Sequence, residues 1–238
     1  MPSLESYSRA LDYSYAPGLF PCLEAVIKRP EWVRRVLIST KAEGDGIEKL
    51  LDLCRERHIR VEEADKALSR VSGKENCFAA AVFSKEQSAL QGERHVVLHH
   101  ISDAGNLGTI LRSALGFGYH DLAVIRPATD IFDPRTIRAS MGAIFSMRVH
   151  EYDDFESYRA EYPQMNLYPF MLTGSVPAEE AAAYKKIPFS IVMGNEGTGL
   201  PEEFAKMGTP VRIRQSNEID SLNLAIATSI GMYEFSKE

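Results

Sequence analysis

No stretch of the 238-residue chain approaches the roughly 18 consecutive apolar residues of a membrane-spanning helix, so no membrane association is expected. Met1-Pro2-Ser3-Leu4-Glu5 lacks a basic segment followed by an apolar one, so no secretory signal is read and a cytoplasmic location is expected. Cysteine is scarce. Cys22, Cys54 and Cys77 are odd in number and widely spaced, which argues for buried, reduced thiols and against a disulfide framework or a metal cluster. Positive charge is not in excess: 27 Lys+Arg stand against 33 Asp+Glu, a net charge of −6, which does not suggest a nucleic-acid binder. The imbalance is local. Residues 1–86 hold 14 residues of each sign, whereas residues 87–238 hold 13 basic and 19 acidic ones. An acidic domain still grips RNA when its few cations gather on one face, and Arg112, Arg126, Arg135 and Arg138 are the candidates. There is no internal repeat, no low-complexity tract and no Gly-Lys-Ser/Thr sequence of a phosphate-cradling loop.

What is present is ordinary for a folded protein: 45% hydrophobic and 25% charged residues, enough for one large domain or two smaller ones. In the first 86 residues helix and strand signals alternate. Phe20 to Val33 reads as a helix with Pro21 near its start, Val36 to Ser39 as a strand, and Ile47 to Arg57 as a helix. Ile59 to Val61 reads as a short strand, Ala64 to Val71 as a helix and Phe78 to Phe83 as a strand. This is a small α/β domain, and polar Ser84 to Glu93 reads as the linker after it. The second half opens with a strand, His95 to Ile101, and a helix to about Phe117, capped by Asp103 or Asn106. Strands at Leu122–Arg126, Phe145–His150 and Asn166–Leu172 alternate with helices at Pro134–Gly142, Asp153–Glu161 and Pro177–Tyr184. Such alternation predicts a mostly parallel, doubly wound sheet.

Phe189 to Glu234 is the stretch around which the rest is organised. Phe189-Ser190-Ile191-Val192-Met193 predicts a buried strand, and Gly194 to Leu200 a loop with three glycines and one carboxylate. Val211-Arg212-Ile213 predicts a short strand, and Ser221-Leu222-Asn223 opens a deeply buried helix. Strand ends, small-residue loops and a capped helix converging in this way build a pocket at the carboxyl edge of a sheet. Taken alone, Gly194, Gly197 and Gly199 either shape tight turns or admit a ligand close to the backbone. Asn106, Ser221 and Asn223 read as helix-start residues, Glu196 as an exposed acid, and Arg112 as a surface arginine on an amphipathic helix. His99 and His100 sit in a strand, so they are expected on opposite faces, and no metal site is expected.

Four segments carry a resemblance to a known family. They are Asp103-Ala104-Gly105-Asn106 through Arg112 to Phe117-Gly118; Ile191 to Leu200, with Gly-Asn-Glu-Gly-x-Gly-Leu intact; Val211 to Glu234, with Ser-Leu-Asn and a closing helix; and Ile137-Arg138-Ala139-Ser140-Met141-Gly142-Ala143. In that family's order over about residues 95–235, they resemble the SpoU/TrmH branch of the SPOUT RNA methyltransferases. Residues 1–86 are similar, through rhythm and placement, to the L30e-like substrate-binding domain often found ahead of that catalytic domain. The resemblance implies two α/β domains, at 1–86 and 94–238, the second with a mostly parallel sheet threaded into a deep trefoil knot. It also implies S-adenosylmethionine bound in the knot, a homodimer through the knotted domain, and methyl transfer to a ribose 2′-hydroxyl of structured rRNA or tRNA, the separate N-terminal domain tilting this towards rRNA. Two departures stand out. Ala104-Gly105 replaces the usual Pro after the Asp, and Ile213-Arg214, followed by Gln215-Ser216-Asn217-Glu218, replaces the usual Ile-Pro.

Under the resemblance, Thr173, Gly174, Gly194, Asn195, Gly197, Ile213, Ser221 and Leu222 hold the cofactor, and Arg112, Asn106, Glu196, Ser221 and Asn223 form the catalytic set. A guanidinium stays protonated, so Arg112 is expected to clamp a substrate phosphate while a phosphate oxygen or water takes the proton. Glu196 is expected to hold Arg112 or the RNA-facing loop. The competing function is a knotted RNA- and cofactor-binding protein with little turnover; a methyltransferase for small molecules or proteins is the third reading.

Overall fold

The computed structural model describes residues 5–72 and 77–237; residues 1–4, which include most of the N-terminal stretch read above, 73–76 and 238 lie outside it. The chain folds into two compact units, Met1–Glu86 with Asp130–Ser146, and Gln87–Thr129 with Met147–Glu238.

The first unit runs β1 (Tyr13–Pro17), α1 (Leu19–Lys28), β2 (Val33–Ile38), α2 (Asp45–Glu56), β3 (Val61–Glu63), α3 (Asp65–Ser72) and β4 (Ala79–Ser84). Strand β1 is absent from the sequence reading, because Tyr-Ser-Tyr-Ala-Pro has no aliphatic alternation. Helix α1 stops at Lys28 rather than Val33. Pro30 lacks the N–H and crowds the preceding turn, and Pro30–Trp32 form a 3-10 turn instead. In the sheet, β4 lies between β1 and β2, antiparallel to both, and β3 adds parallel to β2. Tyr15, Leu37, Leu68, Ala80 and Val82 form a core cluster.

The second unit begins with β5 (Arg94–His99), α4 (Ala104–Gly116) and β6 (Asp121–Ile125). Residues 130–146 then belong to the first unit. Asp133 caps α5 (Pro134–Ala139) by accepting from Arg135 N at 2.7 Å. The Phe132 and Phe145 rings pack on Phe83 at 6.3 and 5.0 Å. Ser14 Oγ donates to the Phe132 carbonyl at 2.5 Å, and Tyr7 donates to Asp130. Because Ala143–Ser146 form a 3-10 turn there, the next strand starts at Arg148 rather than Phe145.

The second unit resumes with β7 (Arg148–Tyr152), α6 (Phe155–Glu161), β8 (Asn166–Pro169), β9 (Val176–Pro177), α7 (Ala178–Ala183), β10 (Phe189–Met193), α8 (Phe204–Met207), β11 (Val211–Arg212) and α9 (Leu224–Ser236). Its main sheet has the order β7-β6-β5-β10-β8 with every neighbouring pair parallel. β6 and β10 are buried along their whole length, as expected when helices cover both faces. Val97, Ala123, Ile125 and Val192 pack with Phe155, Tyr158, Tyr162 and Phe204, and α4 packs against α9. β9 pairs in parallel with β11, and Phe170 also bridges Val211, so the chain at 170–177 runs beside the chain at 211–212. Both β9 and α8 are too short for periodicity to reveal them. Among the described residues no helix is long and apolar enough to cross a membrane.

Candidate functional site

Beyond Met193 the chain doubles back within a few residues. Asn195 and Gly199 exchange backbone hydrogen bonds at 3.2 and 3.0 Å. Asn195 Oδ1 accepts from the N–H groups of Gly197 at 2.8 Å and Thr198 at 3.2 Å, a side-chain mimic of a backbone turn. Gly194 is sterically obligatory, since a Cβ there would lie 2.2 Å from Gly199 C and 2.4 Å from Leu200 N. Asn195 Nδ2 donates to the His100 carbonyl at 2.8 Å, which ties this loop to the end of β5.

The start of α4 is tied to the same loop. Asp103 is the N-cap and accepts from Asn106 N at 2.7 Å, leaving the Asn106 side chain for another task. Glu196 supplies it. Its Oε2 accepts from Ser102 N at 3.1 Å and Ser102 Oγ at 2.8 Å, and its Oε1 from Asp103 N at 3.1 Å and Asn106 Nδ2 at 3.2 Å. Burial alone would raise the Glu196 carboxyl. The hydrogen bonds it accepts, from its own backbone N–H, from Ser102 and from Asn106, outweigh that and hold it below the ordinary carboxylate range. Asn106 Oδ1 in turn accepts from Asn223 Nδ2 at 3.0 Å. Asn223 Oδ1 caps α9 by accepting from Ala225 N at 2.9 Å and Ile226 N at 3.3 Å. The helix therefore starts at Asn223, and Ser221 lies outside it. Glu196, Asn106 and Asn223 form one continuous chain that fixes three segments distant in sequence.

Next to this chain lies a cavity of about 340 Å³. Phe170, Met193, Leu200 and Leu224 add apolar wall that the sequence reading did not assign to the cofactor, and Glu202 and Gln215 add polar groups. Of the residues expected to hold a cofactor, Thr173, Gly194, Asn195, Gly197, Ile213, Ser221 and Leu222 line it, and Gly174 does not. A Cβ at Gly174 would fall 2.4 Å from Val211 C and O, so its lack of a side chain lets this segment pass directly against β11. Met171 N donates to Val211 O at 2.8 Å in the same crossing.

Of the catalytic set, Glu196 and Ser221 line the cavity, and Asn106 and Asn223 reach it through Glu196. Arg112 does not line it. It stands on the exposed face of α4 with Thr109 and Gly116, and has no hydrogen-bond or ion-pair partner among the described residues. The Glu196 carboxylate is engaged by the start of α4 rather than by Arg112.

His100 overturns the expected alternation. Its φ of +61° lies in the left-handed region, where a non-glycine residue is uncommon. The ring stacks on His99 with centroids 3.7 Å apart and planes 28° apart. Burial first, and His100 second, push the His99 imidazole down to about 4, so it is neutral at pH 7. Ser102 is the polar residue that sequence reasoning missed; its partner lies 94 positions away, and only its place beside Asp103 hinted at a role.

The chain is similar to known proteins. The sequence model of the SpoU rRNA Methylase family matches residues 93–233, and that described as RNA 2'-O ribose methyltransferase substrate binding matches residues 15–86. The chain is similar to the 23S rRNA (guanosine(2553)-2'-O)-methyltransferase RlmP of Bacillus subtilis, 23% identical over 216 residues that cover 89% of this chain and 84% of the relative. It is 28% identical to an uncharacterized tRNA/rRNA methyltransferase of Synechocystis over 58% of its own length. The chain spans about half of that relative, 51%, and 27% of the ribosomal RNA small subunit methyltransferase G 2 of Syntrophobacter fumaroxidans. The AdoMet-bound rRNA methyltransferase of Sinorhizobium meliloti superposes with a TM-score of 0.79 at 29% identity, covering 94% of this chain and 87% of that one.

Proposed function

The chain belongs to the SpoU rRNA methylase family, and from that premise we propose that it transfers a methyl group from S-adenosylmethionine to a ribose 2′-hydroxyl of structured ribosomal RNA. The observation that carries the reading is the cavity at the Gly194–Leu200 loop, joined to the start of α4 by Glu196, Asn106 and Asn223. Its volume of about 340 Å³ falls within the range of roughly 300–1,000 Å³ usual for small-molecule sites. Apolar Ile213 and Leu222 fit the faces of an adenine, and the bare Gly194 and Gly197 leave backbone groups to hold its edges.

The cofactor, when bound, supplies an electrophilic methyl carbon. The chain's own residues bind and orient. The carboxylate of Glu196 holds the first turn of α4, and Asn106 and Asn223 keep α9 in register with it. Arg112, permanently cationic, clamps a phosphate beside the reacting ribose and stabilises the negative charge that develops on its oxygen; a phosphate oxygen or water takes the proton.

Two features support a homodimer paired through the face of α4 and α9. Arg112 lies outside the cavity of its own chain, and α9 exposes the large apolar side chains of Ile226 and Tyr233, each 51% exposed. The close passage of Gly174 over Val211 supports threading of this segment in a trefoil knot. The first 86 residues, of which 15–86 match a substrate-binding model, are assigned the choice of RNA, and the cytoplasm is the proposed location.

Calorimetry with S-adenosylmethionine, then methyl transfer to total RNA and mapping of 2′-O-methyl sites with and without the gene, tests the reading. Saturable cofactor binding and the loss of a ribose methylation site are expected. No cofactor binding would overturn it. Binding without transfer to any RNA would leave the knotted binding protein, the alternative favoured by the acidic balance of residues 87–238 and by Ile213-Arg214 in place of Ile-Pro.

A further inference from the structure

A second cavity, of about 200 Å³, lies at the carboxyl ends of β5 and β6, the edge where parallel α/β sheets bind ligands. It adjoins the first: Glu202 lines one and Glu203 the other, and Asn195 of the first donates to the carbonyl of His100 in the second. Four rings bound it, His99, His100, Phe155 and Phe204. His99 is stacked on His100 and meets Phe204 edge-on at 5.1 Å. The stack exists only because His100 holds its left-handed backbone, pinned by its N–H to Ile125 O at 3.1 Å and by the Asn195 bond.

The polar groups divide into two kinds. Arg126 is engaged by Glu151 at 3.2 Å and Asp153 at 2.8 Å, and Asp154 caps α6 through Ser157 N at 2.7 Å. By contrast, the Glu156 and Glu203 carboxylates have no hydrogen bond or ion pair among the described residues. His99 Nδ1 is buried without a hydrogen-bond partner among the described residues. The free carboxylates and the neutralised Arg126 exclude an anionic group from the cavity itself, so a nucleotide whose base enters it keeps its phosphate outside. Among the described residues no group of His, Cys, Asp or Glu is arranged to hold a metal ion. The volume is below the roughly 300 Å³ at which sites for whole small ligands begin, and suits one flat ring system. Aromatic walls stack single-stranded bases, and an unpaired carboxylate calls for adjacent N–H donors. Guanine presents N1–H and its exocyclic amino group side by side; adenine, cytosine and uracil present a single donor group on the corresponding edge.

We propose that this cavity receives one unstacked guanine of the RNA substrate, placed against the His99–His100 stack and hydrogen-bonded through N1–H and the amino group to the Glu203 carboxylate. The inference rests on the RNA methyltransferase reading and adds a base preference to it.

The test uses the full chain, with the four ribonucleoside 5′-monophosphates as probes and the histidine ring signals as the NMR readout. Calorimetry with S-adenosylmethionine runs on the same samples. Guanosine 5′-monophosphate is expected to shift the His99 and His100 rings saturably and to bind about tenfold tighter than the other three, the discrimination of one charge-assisted hydrogen bond. Glu203→Gln is expected to remove about that factor of ten for guanosine 5′-monophosphate and to leave cofactor affinity unchanged. No shift, equal affinities for all four nucleotides, or an unaltered guanine affinity in Glu203→Gln would overturn the proposal. So would tighter binding of N-acetylarginine amide at the same rings, which would assign the cavity to a protein side chain. Cofactor binding and RNA methylation without a guanine effect would leave the methyltransferase reading in place, whereas absent cofactor binding would remove that reading by itself.

Discussion

Five helices of the two units start with different chemistry; Asp133-capped α5 of the first unit and the uncapped α7 and α8 of the second stand outside this contrast. In the first, α1 and α2 follow Gly18 and Gly44, at φ +104° and +98°, and no side chain caps either helix. In the second, α4, α6 and α9 follow Asp103, Asp154 and Asn223, whose side chains accept from first-turn amides. A glycine sets a turn by permitting a backbone angle, and makes no demand on its surroundings. A capping side chain has partners that must be in place. Asp103 and Asn223 stand beside Asn106 and Glu196, so loop shape, helix start and cavity form one hydrogen-bonded structure. Loop substitutions in the first unit should therefore act locally, and those in the second should disturb fold and chemistry together.

The largest effect that could break this contrast is at glycine itself. Gly194→Ala puts a Cβ into backbone at 2.2 Å, and should cost more than about 4 kcal/mol in urea unfolding and abolish S-adenosylmethionine binding. Gly44→Ala meets nothing within 4 Å and carries only the strain of its positive φ, about 1–3 kcal/mol, with cofactor binding intact. Equal losses would erase the distinction. Phe145→Ala should come next. The ring is 1% exposed and edge-on to Phe83, so its loss should cost about 3–5 kcal/mol of the first unit's stability while calorimetry with the cofactor stays unchanged. Arg112→Lys should leave stability within about 0.5 kcal/mol, because the side chain is exposed and unpartnered among the described residues. It should lower kcat/KM for methyl transfer about 100-fold, roughly 2.7 kcal/mol, because an ammonium cannot form the planar clamp. Near-normal turnover with unchanged RNA binding would remove the clamp.

The contrast also governs what could be read from sequence. β10 is legible residue for residue, because five apolar-to-small positions between Pro188 and Gly194 leave no other reading. The parallel order follows from alternation alone. β1 is illegible, since its tyrosines face a core that includes Leu37, Leu68, Ala80 and Val82, and its proline ends it without a pattern. Helix α5 is legible as a helix but its unit is not: Phe132 and Phe145 meet Phe83 through packing that no local period records. In the site, glycines and the family motifs reveal which loops matter. They do not reveal that Glu196 holds Ser102 and Asp103, because that bond spans about 94 positions and leaves no spacing signal. Nor does any histidine announce that its backbone will be left-handed, so the His99–His100 stack could not be foreseen.

The smallest effect sharpens the contrast through pH. Glu196 and Asp65, one carboxylate in each unit, are both held below the ordinary carboxylate range. For Glu196, hydrogen bonds overcome burial; for Asp65, the bonds from Ser39 and Thr40 dominate. A depressed folded pKa contributes stability that is complete above the unfolded value, about 4.3 for Glu and 3.9 for Asp, and is lost as pH falls through the folded value. Glu196→Gln should therefore destabilise by about 1 kcal/mol at pH 7, discounted for partial exposure, and the gap to the parent should close below about pH 4. Asp65→Asn should show the same sign and the same closing at low pH. The two should part in calorimetry at pH 7. Glu196→Gln loosens the start of α4 and the wall of the cavity together, so it should weaken S-adenosylmethionine binding, whereas Asp65→Asn, which frees only Ser39 and Thr40, should not. Unchanged cofactor affinity in Glu196→Gln would mean that the helix start and the cavity are separable, and that the second unit's capped loops are as local in their effects as the first unit's glycines.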